Sequence, residues 1–448
     1  MRAEHVRPCL ILSCVLLLGL AQAAAGKTLC VNPAGSGGCH KTIQSAVNAA
    51  SANDVVNVAP GTYPEDVVIG KTLSLLGAGA DQTTINAAKL ANGILLDGLN
   101  NPGLKGVTIS GFTVKNALYE GILLLSTLDV TIRNNHVLNN DTIGPVFGSG
   151  PACNGQPAYE TDESGDCGGG VHLIGAVNSI ISDNFISGNG DGVLISDETG
   201  ESHHNLLIRN IITDNPPECG VVLASHPPVG AAPPYFAPHY GVDNNTVSEN
   251  VVSRNGVKVG GAGVGLFSDG EGPGRVSGNV IIRNELTDNG IPGVALHTHV
   301  GPAFGAPADD MSGNMIIGNF ISGNGADTDD TATPGPTGIN INSGGGGSPV
   351  TGTIISQNII RDEDVDIAVN TPAEVGAHLN DLLGQKTGVA NVCTLDSAAC
   401  TGTIDATENF WGCPAGPGTK KCSSTSGANV LSTPWLENSA IQENERHH

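Results

Sequence analysis

A short phrase recurs along the chain and limits what the chain can fold into. Each copy is a Gly followed by three residues that are mostly branched and apolar, as in Gly93-Ile94-Leu95-Leu96. Copies begin at Gly93, Gly121, Gly170, Gly192, Gly220, Gly263, Gly293 and Gly338. Four of the intervals measure 28, 22, 28 and 30 residues, which suits one coil of three short strands. A phrase that returns at this period predicts a stacked solenoid.

Pairs of Asn residues, five positions apart, repeat beside the Gly phrase. The pairs are Asn135 and Asn140, Asn184 and Asn189, Asn210 and Asn215, Asn250 and Asn255, Asn284 and Asn289, and Asn319 and Asn324. The next coil breaks the pattern, because Asn358 is followed by Glu363. Asn tolerates left-handed backbone and its amide bonds neighbouring main chain. We therefore expect each Asn to lie at a corner and to bond the equivalent Asn of the next coil.

The periodicity predicts an all-β fold with parallel coils. After residue 54, runs of Val, Ile, Thr and Gly with polar punctuation replace helical periodicity. Before it, residues 42–53 place apolar side chains at helical spacing, which predicts a short amphipathic helix covering the first coil. Residues 409–412, with Phe410 and Trp411, supply large apolar groups that are expected to close the last coil.

With residues 58–65 (Val-Ala-Pro-Gly-Thr-Tyr-Pro-Glu) and 73–77 (Leu-Ser-Leu-Leu-Gly), the chain resembles right-handed parallel β-helix proteins of the pectin-lyase-like superfamily. The resemblance covers about residues 30–415. It implies a right-handed parallel β-helix solenoid with an N-terminal helical cap and long loop insertions. Members include polysaccharide lyases, glycoside hydrolases, pectin esterases, uronan epimerases and non-catalytic surface proteins, so the resemblance is specific for fold and not for activity. The catalytic phrases of the polygalacturonase, pectin methylesterase, alginate epimerase and pectate lyase branches are absent.

Four segments are expected along the chain. Residues 1–25 carry Arg2 and Arg7, an apolar run and small residues, which is typical of a secretory signal peptide. Residues 26–53 form the N-terminal segment and capping helix, 54–412 the parallel β-helix domain, and 413–448 the C-terminal cap and tail. Cleavage of the signal predicts a secreted or periplasmic protein, and nothing else in the sequence approaches a membrane span. We expect a monomer.

Cysteine spacing supports this compartment. Eight cysteines fall into close pairs, and an oxidising compartment would join them as four local disulfides: Cys30 with Cys39, Cys153 with Cys167, Cys393 with Cys400, and Cys413 with Cys422. Apart from Cys9 and Cys14 of the expected signal peptide, Cys219 is left over, and a buried thiol is favoured over a nucleophile because it directly precedes a strand.

The charge balance narrows the class of ligand. The chain has 43 acidic and 19 basic residues, a net charge of −24. Such an excess argues against nucleic acid and anionic membranes as partners. A polysaccharide is the expected partner, and a uronate polymer would need a bridging cation, for which Ca²⁺ is the expected cofactor. The alternative is that the acidity only keeps an exported rod soluble.

Counting a fixed number of residues from each Gly phrase identifies a candidate site. The residues six positions after four consecutive phrases are Glu198, His226, Asp269 and His299. Parallel coils stack about 4.8 Å apart, so these side chains are expected to form one column of alternating acid and imidazole. With Asp197 and His297 beside them, they are the predicted catalytic residues. The same four could instead hold a metal ion. The alternative is a solvated outer face.

Long insertions follow this column and carry aromatic residues. Of 15 Phe, Tyr and Trp residues, six lie in three insertions, and aromatic faces are common platforms for sugar rings. The predicted substrate-binding residues are Tyr159, Tyr235, Phe236, Tyr240 and Phe304, with His172 at an outward-facing strand position. The alternative is that the aromatics anchor the loops and that His172 is structural.

Two functions remain open at this point. The first is a secreted polysaccharide-cleaving enzyme, a lyase or a glycoside hydrolase, that works in a groove along the solenoid by Asp/Glu and His acid/base chemistry. The second is a non-catalytic exported surface or matrix β-helix that binds glycan or metal, one version of which is a periplasmic metal carrier.

Overall fold

The fold is almost entirely β-structure, wound into coils of three strands. The computed structural model describes residues 26–143, 157, 159, 168–231, 238–268, 272–298, 301–302, 305–327, 333–342, 347–370, 373–384, 386–392, 402–419, 421–439 and 441. Within these residues the strands form three long sheets in which every neighbouring pair is parallel. The predicted parallel solenoid is therefore confirmed.

Each sheet collects one strand from every coil. Sheet 1 contains Thr28–Val31, Asp54–Val58, Leu73–Gly77, Thr108–Ser110, Thr131–Arg133, Ile180–Ser182, Leu206–Ile208, Thr246–Ser248, Val280–Ile282, Met315–Ile317, Val350–Ser356, Ala373–His378, Thr403–Asp405 and Val430–Leu431. Sheet 2 contains Gly61–Tyr63, Thr83–Asn86, Thr113–Lys115, His136–Leu138, Phe185–Ser187, Ile211–Thr213, Val251–Ser253, Glu285–Thr287, Phe320–Ser322, Ile359–Arg361 and Asp381–Leu383. Sheet 3, which carries the Gly phrase, contains Val67–Ile69, Ile94–Asp97, Ile122–Leu125, Gly169–Ile174, Asp191–Ser196, Val221–Ser225, Val264–Ser268, Val294–Thr298, Thr337–Asn342, Val365–Asn370, Thr387–Asn391 and Ser424–Ser426. A separate pair joins Ser202–His203 to Val242–Asp243.

One helix covers the first coils, as the sequence predicts, but it is shorter than residues 42–53. It spans Ile43–Ala49, with Thr42 as its N-cap, and it buries Ile43, Ala46 and Val47. The parallel pairing also extends past the helix on the N-terminal side, since Thr28–Val31 pairs with residues 55–58. At the other end, Trp411 is buried in the main core, and pairing continues to Val430–Leu431.

The core is a stack of branched aliphatic side chains with alternating burial. In sheet 3, the columns Ile122, Val171 and Val193, and Leu124, Leu173 and Ile195, point inward in register and are fully buried. The positions between them point outward, yet from Gly169 to Asn342 most of these are buried as well. The outer face of sheet 3 is therefore covered over this stretch, which is where the candidate site lies.

The Asn columns are hydrogen-bonded ladders, as predicted. In the first ladder, Asn184 Oδ1 accepts from both the main-chain N and the Nδ2 of Asn135, at 3.0 and 3.2 Å, and Asn210 Oδ1 does the same for Asn184. The sequence analysis missed another ladder, formed by Asn205, Asn245, Asn279 and Asn314. These buried amides satisfy the main chain where the coils turn.

The left-handed residue is not the ladder Asn itself, so that detail of the prediction was wrong. It is the residue before it, as at Asn134 (φ 54°), Asp183 (φ 55°) and Arg209 (φ 53°). The reason is that the main-chain N of each ladder Asn must donate along the stack, so the preceding residue makes the bend.

The ladders explain why each phrase begins with Gly. A Cβ on Gly121 would lie 2.5 Å from Val137 Cγ1 and 2.7 Å from Asn140 Nδ2, too close to the core and to the ladder at once. The Gly phrase and the Asn pair are therefore two parts of one corner.

Two of the four predicted disulfides are confirmed, Cys30–Cys39 and Cys413–Cys422. The pairs Cys153 with Cys167 and Cys393 with Cys400 lie outside the described residues. Cys219 is buried, and its Sγ accepts from Ala262 N at 3.0 Å.

Candidate functional site

Four consecutive strands of sheet 3, which end at Ser196, Ser225, Ser268 and Thr298, precede the members of the predicted acid and imidazole column in sequence. The strand register aligns Ser225 with Ser268 and Ser268 with Thr298. Positions counted from each Gly phrase are therefore in register across these coils. Asp197 and Glu198 follow the first of the four strands, and His226 follows the second. Asp269 and His299, the other two members of the predicted column, lie outside the described residues.

Glu198 and His226 are joined directly. Glu198 Oε1 and His226 Nδ1 are 2.7 Å apart, and the two side chains are 2% and 1% exposed. They belong to adjacent coils, which is the pairing predicted by counting six residues from each Gly phrase.

Asp197 is held by three donors on the next coil and its loop. Oδ1 accepts from His226 N at 2.7 Å, while Oδ2 accepts from Ser225 Oγ at 3.1 Å and from Gly241 N at 2.5 Å. Burial nevertheless raises the pKa of the Asp197 carboxyl to about 7, and the nearby Glu198 carboxylate adds to that rise.

The neighbouring Glu198 is shifted in the opposite direction. Burial alone would raise its pKa, but the charge of His226 and the hydrogen bond with that ring, helped by His172 and Ser196, hold the pKa of Glu198 below its ordinary value. Two adjacent carboxyl groups therefore differ in protonation near neutral pH, with Glu198 ionised and Asp197 partly protonated.

A second arm of the network reaches back along the solenoid to His172, a predicted substrate-binding residue, and includes Glu120 and Ser196, which were not predicted. Glu120 Oε1 lies 2.9 Å from His172 Nδ1, His172 Nε2 lies 2.8 Å from Ser196 Oγ, and Ser196 Oγ donates to Glu198 Oε2 at 2.5 Å. All of these side chains are buried. We call Glu120, His172, Ser196, Glu198 and His226 the buried relay.

His172 therefore lies in a different setting from the predicted one. Both of its ring nitrogens contact protein groups, and the ring is 3% exposed, so it does not present an imidazole to a ligand in this structure. The sequence does contain one indication of Glu120. This residue directly precedes Gly121, which begins a Gly phrase, so its position next to sheet 3 could have been predicted.

His297 lies two strands beyond the 221–225 strand and makes a ring contact. It stacks on Phe267 with ring centroids 4.2 Å apart and an interplanar angle of 35°. The ring is 6% exposed. Its predicted catalytic role stays a prediction, and the structure places it with an aromatic platform rather than within the buried relay.

Of the predicted substrate-binding aromatics, two are described. Tyr240 is 48% exposed beside Gly241, whose N donates to Asp197. Tyr159 packs against Leu123, Leu125 and Ile174 on the outer face of sheet 3, an anchoring contact. Tyr235, Phe236 and Phe304 lie outside the described residues.

A cationic side chain near the site is already neutralised. Arg275 Nη2 contacts Glu201 Oε1 at 2.7 Å, Asp243 Oδ2 at 2.6 Å and the carbonyl oxygen of Tyr240 at 2.8 Å. This guanidinium stabilises the segment that leads into Gly241. Across the part of the chain that the structure describes, no three His, Cys, Asp or Glu side chains are grouped so that they could hold a metal ion.

Known structures share this architecture. The catalytic unit of a thermostable α-1,3-glucanase of family GH87 from Streptomyces thermodiastaticus strain HF3-3 superposes with a TM-score of 0.52 at 16% identity. The alignment covers 88% of this chain and 66% of the glucanase chain, so the chain spans just under two thirds of that protein. The chain has a right-handed parallel β-helix fold.

Further pectin-lyase-like structures match less closely. A polygalacturonase from Erwinia carotovora has a TM-score of 0.47 at 11% identity, covering 94% of this chain and 97% of that one. The A-module of a mannuronan C-5 epimerase from Azotobacter vinelandii has a TM-score of 0.44 at 14% identity, covering 88% and 94%. Identities this low establish the fold alone.

At the level of sequence, residues 46–227 match the family model described as periplasmic copper-binding protein (NosD). That stretch includes the buried relay and ends one residue after His226. No curated protein sequence matches the chain. Among the described helices, none has the length and apolarity needed to cross a membrane.

Proposed function

We propose that this protein is an exported carbohydrate-active enzyme that cleaves a polysaccharide, with Asp197 as general acid and Glu198 as general base. The observation that carries the proposal is the adjacent pair of carboxyl groups whose pKa values are shifted in opposite directions. Such a pair supplies a proton donor and a proton acceptor at the same pH.

Glycoside hydrolysis requires this combination. A carboxylic acid protonates the leaving oxygen while an ionised carboxylate activates water or attacks the sugar ring. Asp197, with a pKa of about 7, keeps a substantial protonated fraction at neutral pH. Glu198 stays ionised because His226 lies 2.7 Å from its Oε1. His226 is the positioning residue for the base.

The charges of the chain favour a neutral glycan. With a net charge of −24, the protein repels polyanions. Arg275, the cation described beside Gly241, is ion-paired with Glu201 and Asp243 and is not available to a uronate carboxylate. A neutral polysaccharide avoids this cost, and hydrolysis is then favoured over elimination; a uronate substrate would require Ca²⁺ as the bridging cation.

A substrate can reach the two carboxyl groups only if the chain that covers them moves. Val229 N donates to Glu198 O at 3.0 Å, and Pro227 is buried beside His226. We also propose that residues 227–231 move away from the two carboxyl groups when a glycan binds. Tyr240, which is exposed at the other described end of this loop, then offers an aromatic face to the sugar.

The test is a screen of the purified mature protein against a panel of neutral and uronate polysaccharides, with and without Ca²⁺. Reducing ends report hydrolysis, and absorbance of unsaturated products reports elimination. Asp197→Asn and Glu198→Gln are each expected to lower kcat by about 10²- to 10⁴-fold. Asp366→Asn is the matched control, because Asp366 is fully buried, has a raised pKa and lies five coils away in sheet 3. Full turnover in both site variants would overturn the assignment, and no cleavage of any substrate would overturn the enzyme proposal.

The family match favours a second candidate, an exported copper-binding protein. The matched residues 46–227 include both His172 and His226. Titration of the metal-free protein with copper, followed by metal analysis after gel filtration, tests it. Stoichiometric copper that is lost in His226→Gln would support this candidate, and copper that does not co-elute with the wild type would eliminate it.

The compartment follows from the cysteines. Disulfides Cys30–Cys39 and Cys413–Cys422 favour an extracytoplasmic location, since reducing compartments keep thiols apart. We propose that residues 1–25 are removed as a signal peptide, which N-terminal sequencing of the exported protein would test.

A further inference from the structure

We infer that Glu120, His172 and Ser196 form a proton relay that leaves Glu198 ionised in the resting protein by holding the proton on His172. The inference rests on the proposed function for the role of Glu198. It adds Ser196, which directly precedes the carboxyl pair, His172, which lies one coil before it, and Glu120, which lies two coils before it. These three act through Glu198, so they are positioning and proton-transfer residues rather than groups that touch the substrate.

The hydrogen bonds leave few arrangements for the protons. Glu120 accepts from Gly169 N at 2.8 Å through Oε2, and its Oε1 faces His172 Nδ1 at 2.9 Å, so Nδ1 carries a hydrogen. Ser196 has one hydroxyl hydrogen but two short contacts, with His172 Nε2 at 2.8 Å and Glu198 Oε2 at 2.5 Å. It can donate to only one of them.

Two states satisfy both contacts. In the first, His172 is an imidazolium whose Nε2–H donates to Ser196, and the Ser196 hydroxyl donates to an ionised Glu198. In the second, Glu198 is protonated and donates to Ser196 Oγ, and the Ser196 hydroxyl donates to the neutral Nε2 of His172. Both states contain the same number of protons and differ only in their positions.

The step between the two states balances. When protonated Glu198 gives its proton to Ser196 Oγ, the hydroxyl proton of Ser196 passes to His172 Nε2, and no group outside the chain is consumed. The imidazolium that forms lies 2.9 Å from Glu120, whose negative charge stabilises it. Burial of all four side chains excludes water as a competing acceptor.

The scaffold fixes the geometry that such transfer needs. His172 and Ser196 lie on paired strands, with Ile174 opposite Ser196, so the imidazole is two positions earlier on the same outer face. Glu120 lies just before the strand Ile122–Leu125, which pairs with residues 171–174. The contribution of His172 to keeping Glu198 ionised agrees with the first of the two states as the resting one.

The protonation of His172 tests the relay without any substrate. We expect ¹⁵N NMR of the histidine rings to show both nitrogens of His172 protonated at pH 7, and Glu120→Gln to convert His172 to the neutral form. A neutral His172 in the wild-type protein at pH 7 would overturn the relay. This measurement is independent of whether a polysaccharide is cleaved.

Kinetics then separates the relay from the proposed function. Ser196→Ala is expected to lower kcat at least about tenfold with little change in KM, and to shift the acidic limb of the pH–rate profile to higher pH, because the pKa of Glu198 rises. Ser253→Ala, which removes a buried hydroxyl on sheet 2, is the matched control. If Asp197→Asn and Glu198→Gln abolish turnover while Ser196→Ala leaves rate and pH profile unchanged, the relay is wrong and the proposed function stands.

Discussion

Glu363 Oε1 accepts two hydrogen bonds from Asn324, one from the main-chain N at 3.0 Å and one from Nδ2 at 3.1 Å. It thereby takes the place of the next Asn in the second ladder. In that ladder, Nδ2 also donates to a main-chain carbonyl of the preceding coil at Asn140, Asn189, Asn255, Asn289 and Asn324, the last to Leu286 O at 3.1 Å. Glu363 Oε2 is buried and makes no hydrogen bond. A carboxylate lacks the hydrogen that the amide supplies at this point.

Replacement of Glu363 by Asn should stabilise the protein above neutral pH. Burial raises the pKa of Glu363 to about 7, with Asp362 and Asp288 adding to the rise. The free-energy cost of the buried, ionised Glu363 carboxylate is absent below the pKa of this group in the unfolded chain, near 4.5. The cost is complete once the pH exceeds about 7, so the free energy of unfolding falls as the pH rises between these values. Glu363→Asn should gain about 2 kcal/mol at pH 8 and little at pH 4, as measured by urea unfolding.

The exposed Glu374→Gln, in the strand Ala373–His378 of sheet 1, is the control, and its effect on unfolding should show no such dependence on pH. Other charged groups near this corner are Asp366, whose pKa burial raises well above its ordinary value, and the ion pair of Asp364 with Lys386 at 2.6 Å. If Glu363→Asn left the pH dependence of unfolding unchanged, the idea of a destabilising ionised Glu363 would be abandoned.

The pH dependence of cleavage should follow Asp197. As the general acid it must be protonated, so kcat/KM should decline as pH rises through about 7, the pKa of its carboxyl. Burial is the main cause of that high value. A profile of kcat/KM between pH 4 and pH 9 checks this, and a rate that climbs through neutral pH would contradict the role of acid.

Removal of one ladder amide should cost more than removal of an exposed one. Asn250→Ala deprives Asn210 of the acceptor for its main-chain N and its Nδ2, at 2.9 and 3.0 Å, in a fully buried corner. Unsatisfied buried donors cost about 1 to 3 kcal/mol each. We expect Asn250→Ala to lower the midpoint of thermal unfolding by several degrees, and the exposed helical Asn48→Ala to leave it nearly unchanged. Equal midpoints of thermal unfolding in the two variants would contradict a stabilising contribution from the ladder hydrogen bonds.

The N-terminal disulfide should stabilise the first coils. Cys30–Cys39 closes a loop with a sequence separation of nine residues. Loops of this size contribute about 2 to 3 kcal/mol by chain entropy. Replacing both cysteines by Ser should increase hydrogen exchange in residues 28–31 and 54–58, and unchanged exchange there would contradict the prediction.

The fold was predictable because its signals repeat. A Gly with no room for a Cβ and an Asn that bonds its equivalent recur at every corner, so errors at one coil do not propagate. The contact between Glu198 and His226 was predictable for the same reason, since both residues follow their phrases by the same count. Counting within one column identifies such neighbours directly.

The other contacts of the site could not be predicted by counting within one column. His172 and Ser196 occupy different positions on their strands, so their contact is diagonal across sheet 3 and does not fall in one column. A long insertion between Asp141 and Gly169 separates Glu120 from His172 in sequence although they are 2.9 Å apart in space. The roles predicted for Asp269, His299, Tyr235, Phe236 and Phe304 remain predictions.

The ladders give the rod a direction. In every Asn–Asn contact of the described ladders, the main-chain N and the Nδ2 of one Asn donate to Oδ1 of the Asn in the following coil, so these contacts all run in one direction along the solenoid. A duplicated coil would meet matching groups on both sides. The protein could therefore lengthen through tandem duplication, in steps of one whole coil, without any change to its two ends.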